Sequence, residues 1–160
     1  MKGRNGTSPI IFLDFDGVLN DLQFFIDRNA DESGDRSLAQ RHFNPEKVEL
    51  INKLCDNTGA KVVVSSSWRE GSDTEEMRSL MTDVGGTFDI IDITPYIKGV
   101  PRGWEIDQWL KCNFNNNKNW VIIDDDSDMP GSQLRHFFRT DSNYGIDKST
   151  CDAIEVFLNK

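Results

Sequence analysis

Apolar residues in this 160-residue chain gather into short dense runs, separated by longer stretches of mixed character. The runs rich in β-branched residues predict buried strands over roughly residues 9–14, over Lys61–Ser66 and over Trp120–Asp124. Phe88–Thr94 and His136–Thr140 predict two shorter ones. Between them the spacing turns helical. Asn44-Pro45-Glu46 supplies an N-cap and a first-turn proline, Val48, Ile51, Leu54 and Cys55 form one apolar face, and Gly59 ends the helix. Ser72-x-x-Glu75 predicts a capping box for a helix carrying Met77, Leu80 and Met81, which Gly85-Gly86 breaks. A helix around residues 103–112 turns Ile106, Trp109 and Leu110 inward, and Asp147 caps a last one with Cys151, Ile154, Phe157 and Leu158 on one face. Strands alternating with helices predict an α/β protein with a mostly parallel central sheet.

Three stretches lack a period. Met1–Ser8 is polar, and Asn115-Asn116-Asn117 reads as a loop. Residues 20–43 begin with the apolar patch Leu22, Phe24, Phe25 and Ile26 and then turn polar, which predicts a loop or small insertion over the first strand tip.

The length predicts one domain over residues 1–160, with enough chain for a proper core. A net charge of −9 argues against a broad nucleic-acid surface and leaves room only for a local basic groove. No apolar run approaches the roughly 18–20 residues of a membrane span, and the N-terminus lacks the apolar core of a signal peptide. Cys55, Cys112 and Cys151 are odd in number and far apart, without metal spacing or a disulfide framework. Thiols in a reducing cytoplasm are the expectation. His42 and His136 are isolated, so histidine-based metal or nucleophile chemistry is not expected. No fused segment marks an obligate protein partner.

Candidate chemistry sits at two strand tips, Asp14-Phe15-Asp16-Gly17 and Asp124-Asp125-Asp126. Crowded carboxylates repel unless a cation joins them, and carboxylate oxygen is the ligand Mg²⁺ prefers. A calcium loop is excluded. The positions that need Gly and Glu are Leu19 and Phe25 counted from Asp14, and Met129 and Arg135 counted from Asp124.

The segment Asp14-Phe15-Asp16-Gly17-Val18-Leu19-Asn20 resembles the first motif of the haloacid dehalogenase (HAD) superfamily of phosphotransferases. Ser65 or Ser66 resembles its second motif, Arg102 stands where the third motif's cation is expected, and Asp124-Asp125 resembles the fourth. Ser65-Ser66-Ser67-Trp68-Arg69, Arg102-Gly103-x-Glu105-Ile106-x-x-Trp109-Leu110 and the tail Phe138-x-Thr140-Asp141-x-x-x-Gly145-Ile146 narrow the likeness to the small HAD branch linked to nucleic-acid repair proteins.

The resemblance implies a three-layer Rossmann-like fold with a minimal cap insertion. It implies that Asp14 is a nucleophile forming an aspartyl-phosphate and Asp16 the general acid and then base. Mg²⁺ would be held by Asp14, the Asp16 main-chain carbonyl and Asp124, with Asp125 or Asp128. Phosphate contacts would come from Ser66 or Ser65, from Arg102 or Lys98, and from Arg69. The implied activity is that of a Mg²⁺-dependent phosphomonoesterase acting on a small phosphate ester, a nucleotide or a nucleic-acid end such as a 3′-phosphate. The alternative is a HAD-fold module that binds metal or phosphate without turnover. Trp104 is the tryptophan expected to be exposed near the site; Trp68, Trp109 and Trp120 read as packing residues.

Overall fold

A computed structural model of the protein describes residues 7–30, 34–113 and 119–160. Five strands, β1 (Ile10–Leu13), β2 (Lys61–Val64), β3 (Ile90–Ile93), β4 (Trp120–Asp124) and β5 (Phe137–Arg139), form one sheet in the order β3-β2-β1-β4-β5. Every pairing is parallel. The chain builds outward from β1 to β3, crosses back to β4 and builds outward again. The tips of β1 and β4 therefore meet where the direction of winding reverses, the place where open α/β sheets bind ligands.

Alternation along the strands divides the core. Ile11, Leu13, Val62, Val64, Val121 and Ile123 face one layer, formed by helices α3 (Pro45–Thr58), α4 (Thr74–Thr82) and α6 (Lys148–Leu158). Ile10, Phe12, Val63 and Ile122 face the other, where α5 (Arg102–Asn113) contributes Ile106 and Trp109. The Phe12 ring meets Trp109 edge-on at 5.3 Å and Trp120 at 6.0 Å. This is a three-layer, all-parallel arrangement of the Rossmann-like kind.

Local signals end the elements as expected in most places. The Asn44 side chain accepts from the Glu46 N–H ahead of α3, and Gly59 closes that helix with a left-handed φ of 70°. Asp147 caps α6. Two expectations shift. The capping box of α4 is Asp73 with Glu76, one residue beyond Ser72 and Glu75. An Asp carboxylate accepts the helix N–H as well as a serine hydroxyl does, so both registers were open. The second strand stops at Val64, because Ser66 already caps a short 3-10 turn over Ser67–Arg69.

The insertion after β1 holds two helices, α1 (Leu22–Ala30) and α2 (Leu38–His42). α2 is one turn long, so no period could show it; a reciprocal Ser37/Gln40 capping box starts it and buried Ala39 anchors it. Residues 31–33 of the polar stretch, most of Met1–Ser8 and the Asn115-Asn116-Asn117 loop lie outside the described residues.

Cys55, Cys112 and Cys151 are free thiols. Burial pushes Cys55 up to about 12 and Cys151 up to about 11, which keeps both protonated. His136 stacks on Trp120 at 3.9 Å, its Nδ1 2.8 Å from the Trp120 carbonyl, and is a core residue at the sheet edge opposite the acidic tips. Among the described residues no helix is long and apolar enough to cross a membrane.

Candidate active site

The sheet ladder runs one step past β1 and β2. The Asp14 N–H donates to the Ile123 carbonyl at 3.0 Å, and the Ser65 N–H donates to the Leu13 carbonyl at 2.9 Å. Asp14, Ser65 and Asp124 thus follow Phe12, Val63 and Ile122 by two residues each, on the α5 side of three adjacent strand tips. The carboxylates of Asp14, Asp124 and Asp125 offer oxygens that all lie within 4.8 Å of one another. Burial raises the Asp14 pKa to about 6, opposed first by the Arg102 charge. Burial and then the Asp14 charge raise Asp124 to about 8. A proton shared within the pair is the response of such a cluster without a cation.

Three buried side-chain atoms here have no hydrogen-bond partner: Ser65 Oγ, Arg102 Nη1 and Asp124 Oδ2. Buried polar atoms are normally paired, and leaving one unpaired costs about 1–3 kcal/mol. Two of these orphans are donors and one is an acceptor. An oxygen-bearing anion would satisfy the donors, and a hard cation would satisfy the acceptor. Asp14, Asp124 and Asp125 therefore fit a divalent metal by donor chemistry as well as spacing.

Arg102 opens α5, and the Asp128 carboxylate accepts its main-chain N–H at 2.9 Å. Its Nη1 stands 3.6 Å from Asp14 Oδ1 and 3.9 Å from Asp124 Oδ2. Its Nε stands 3.8 Å from Glu105 Oε2. Asp128 is thus used as a helix cap and is not one of the three clustered carboxylates. Asp126 contributes through its backbone, donating its N–H to Asp124 Oδ1 at 3.0 Å. Lys98 lies on an exposed turn after β3, and among the described ion pairs only Arg102 reaches the acidic cluster.

Ser66 and Ser65 take different positions. Both are fully buried. The Ser66 hydroxyl accepts the Trp68 N–H at 3.4 Å, and its nearness to the Asp14 carboxylate works against the rise that burial causes in the Asp14 pKa. The Ser65 hydroxyl is the one left without a partner. Arg69 points inward: it donates to the carbonyls of Thr94 at 2.9 Å, Ser66 at 2.6 Å and Pro95 at 3.3 Å, and pairs with Glu105. At 3% exposure it ties the loop after β2 to the loop after β3, and it is not brought to the carboxylates.

Asp16 sits differently from Asp14. Phe15 between them is fully buried, which anchors the loop backbone and leaves the Asp16 side chain exposed. Gly17 follows with a left-handed φ of 75°, and a Cβ there would lie 2.4 Å from Asp125 Oδ2. The absent side chain lets the loop pass directly over the fourth-motif acid. The tail closes the same loop: Thr140 donates its hydroxyl to the Gly17 carbonyl at 2.7 Å, and the Ile146 N–H donates to Val18 at 2.8 Å.

Three contributors have roles that residue type alone does not reveal. Asn20 accepts the Gly17 N–H at 2.8 Å, Trp68 donates to Asp16, and Glu105 lies between two arginines. Each lies inside one of the family motifs, but a helix face or a turn accounts for each equally well, and only contacts distinguish them. Trp104 is exposed, as its position predicted.

No curated protein and no solved structure matches the chain. Residues 10–151 match the family described as "HAD domain in Swiss Army Knife RNA repair proteins", a span that takes in all five strands and every residue of the site. With four motifs converging on one sheet edge and most of the chain covered, this protein belongs to that family of HAD-superfamily domains.

Proposed function

We propose that the protein is a Mg²⁺-dependent phosphomonoesterase that works through an aspartyl-phosphate at Asp14. The observation that carries this reading is the pair of unpartnered buried atoms beside the Asp14 carboxylate, Arg102 Nη1 and Asp124 Oδ2, with unpartnered Ser65 Oγ at the neighbouring strand tip. Phosphoryl transfer asks for an in-line nucleophile, a proton source and positive charge around the equatorial oxygens. Asp14, Asp124 and Asp125 would hold the metal, with the Asp16 main-chain carbonyl; bound there, it neutralises charge on the phosphoryl oxygens.

In the first step an Asp14 oxygen attacks phosphorus, the bond to the leaving oxygen breaks, and Asp16 gives that oxygen its proton. In the second, Asp16 takes a proton from water, the water oxygen attacks phosphorus, and the bond to Asp14 breaks. Arg102 places its Nη1 donor on the phosphoryl oxygens, an Arg fork being suited to that contact, and Ser65 or Ser66 supplies a hydroxyl. Lys98, on its exposed turn, is the alternative cation for that contact. The substrate class is a nucleic-acid terminal phosphate or a nucleotide, in keeping with the RNA repair proteins that carry this domain. The charge of −9 confines any strand contact to the site's own cations.

The test is phosphate release from p-nitrophenyl phosphate, nucleotides and 3′-phosphorylated oligonucleotides, with and without Mg²⁺, beside Asp14→Asn. Metal-dependent turnover lost in Asp14→Asn is expected. A wild type inactive on every substrate would leave the domain a non-catalytic binding module, and turnover that survives in Asp14→Asn would exclude the aspartyl-phosphate.

A further inference from the structure

We infer that Trp68 is a positioning residue for Asp16, and that the short insertion after β1 braces the pair. This rests on the reading of Asp16 as acid and base. Each oxygen of the Asp16 carboxylate accepts one hydrogen bond: Oδ2 from the Trp68 indole N–H at 3.0 Å, and Oδ1 from the Asn20 amide at 3.1 Å. Asp16 is exposed, so water alone could solvate it, and burial does not force either contact. Without them the side chain would sample several rotamers. With them it holds one, which is what a proton donor to a leaving group needs.

The two donors are themselves held by the insertion. The Trp68 ring meets His42 edge-on at 5.1 Å and Phe43 at 5.0 Å. The Asn20 amide also donates to the His42 carbonyl at 3.0 Å. Phe43 in turn meets Phe15 at 5.4 Å, and Phe15 lies between the two acids in the chain. A closed circuit results: Phe15 sets the backbone, Phe43 packs on it, Trp68 packs on Phe43, and the indole returns to Asp16. α2 thus ends on the brace, giving so small an insertion a purpose other than covering the site.

Leaving groups separate this role from plain packing. p-Nitrophenolate departs without a proton, whereas an alkoxide needs one. The measure is kcat/KM, which ends at departure of the leaving group and so excludes the water step. Trp68→Phe keeps the ring and removes the N–H. It should lower kcat/KM about tenfold on an alkyl phosphate, the worth of one hydrogen bond to a charged group, and by less than about twofold on p-nitrophenyl phosphate. Asp16→Asn should show the same selectivity, more strongly. The double variant should be no slower than Asp16→Asn alone, because Trp68 acts only through Asp16. Equal losses on both substrates, or additive losses in the double variant, would overturn the inference.

A second measurement needs neither turnover nor a stable Trp68 variant. In ¹⁵N-labelled protein, Asp16→Asn should shift the indole N–H signal of Trp68 and leave those of Trp109 and Trp120 in place. An unmoved Trp68 signal would refute the contact. Wild type inactive on both esters would refute the hydrolase reading instead, and the indole measurement would still decide whether Trp68 holds Asp16.

Discussion

Arg102 faces Asp14 across 3.6 Å and makes no hydrogen bond through the nitrogen that faces it. The separation is too wide for a closed pair, and the guanidinium is mostly enclosed, 19% of the side chain being exposed. An arginine that balances charge without spending its donor is ready to give that donor to a phosphoryl oxygen. Arg102→Ala should reduce kcat/KM on p-nitrophenyl phosphate by about a hundredfold, the usual loss when one preorganised donor is removed from a developing charge. Arg102→Lys should recover only part, because an ammonium supplies charge without the fork.

Glu105 is the counterweight. It is 4% exposed, pairs with Arg69 and Arg102 through Oε2, and accepts the Ile97 N–H through Oε1 at 2.8 Å. Removing one partner from a buried ion network leaves the others uncompensated. Urea denaturation should show Glu105→Gln less stable by about 3 kcal/mol, and Arg69→Ala by a similar amount, although Arg69 touches no carboxylate of the cluster.

The pH dependence of the metal-free protein follows from the raised acids. Asp14 and Asp124 have folded pKa values of about 6 and about 8, against an ordinary 3.8. The folded state therefore binds more protons than the unfolded state, so stability present below about pH 4 is lost as pH rises toward about 8. With EDTA, thermal midpoints should fall across that window in wild type and fall less in Asp124→Asn. Mg²⁺ should raise the midpoint far more at pH 8 than at pH 5, because binding displaces the protons.

Gly17 offers a test of the loop over Asp125. Gly17→Ala places a methyl in a left-handed backbone and against the Asp125 side chain, whose Cβ would be only 2.9 Å away. Gly59→Ala incurs similar backbone strain at φ 70° with open space around the new atom. Gly59→Ala should lose about 1 kcal/mol in thermal or chemical denaturation and Gly17→Ala more, and only Gly17→Ala should also weaken Mg²⁺ binding by calorimetry.

Residues whose role depends on neighbours in the chain are legible in the sequence itself. β-Branched runs become strands because their side chains pack on a pleated surface, and Asn44-Pro45 and Asp147 start helices because their caps are local. Asp14, Asp16, Asp124 and Asp125 stand out because carboxylates crowded at apolar strand tips repel one another unless a cation joins them. Short α2 does not show, since one turn has no period, and the choice between Ser72 and Asp73 as a cap turns on geometry.

Three-dimensional contact decided the rest. Asp128 gives one carboxylate oxygen to the start of α5, and Arg69 is buried among carbonyls, contacts that residue type alone does not show. Trp68 has the look of a packing residue and also holds Asp16. The chain alone nominated the residues suited to chemistry, because residue type and local pattern are written along it. Which of them meet was settled by the crossing from β3 to β4, which brings Asp14 and Asp124 to adjacent strand tips. Distances between residues far apart in sequence are a property of packing, and no local pattern encodes them.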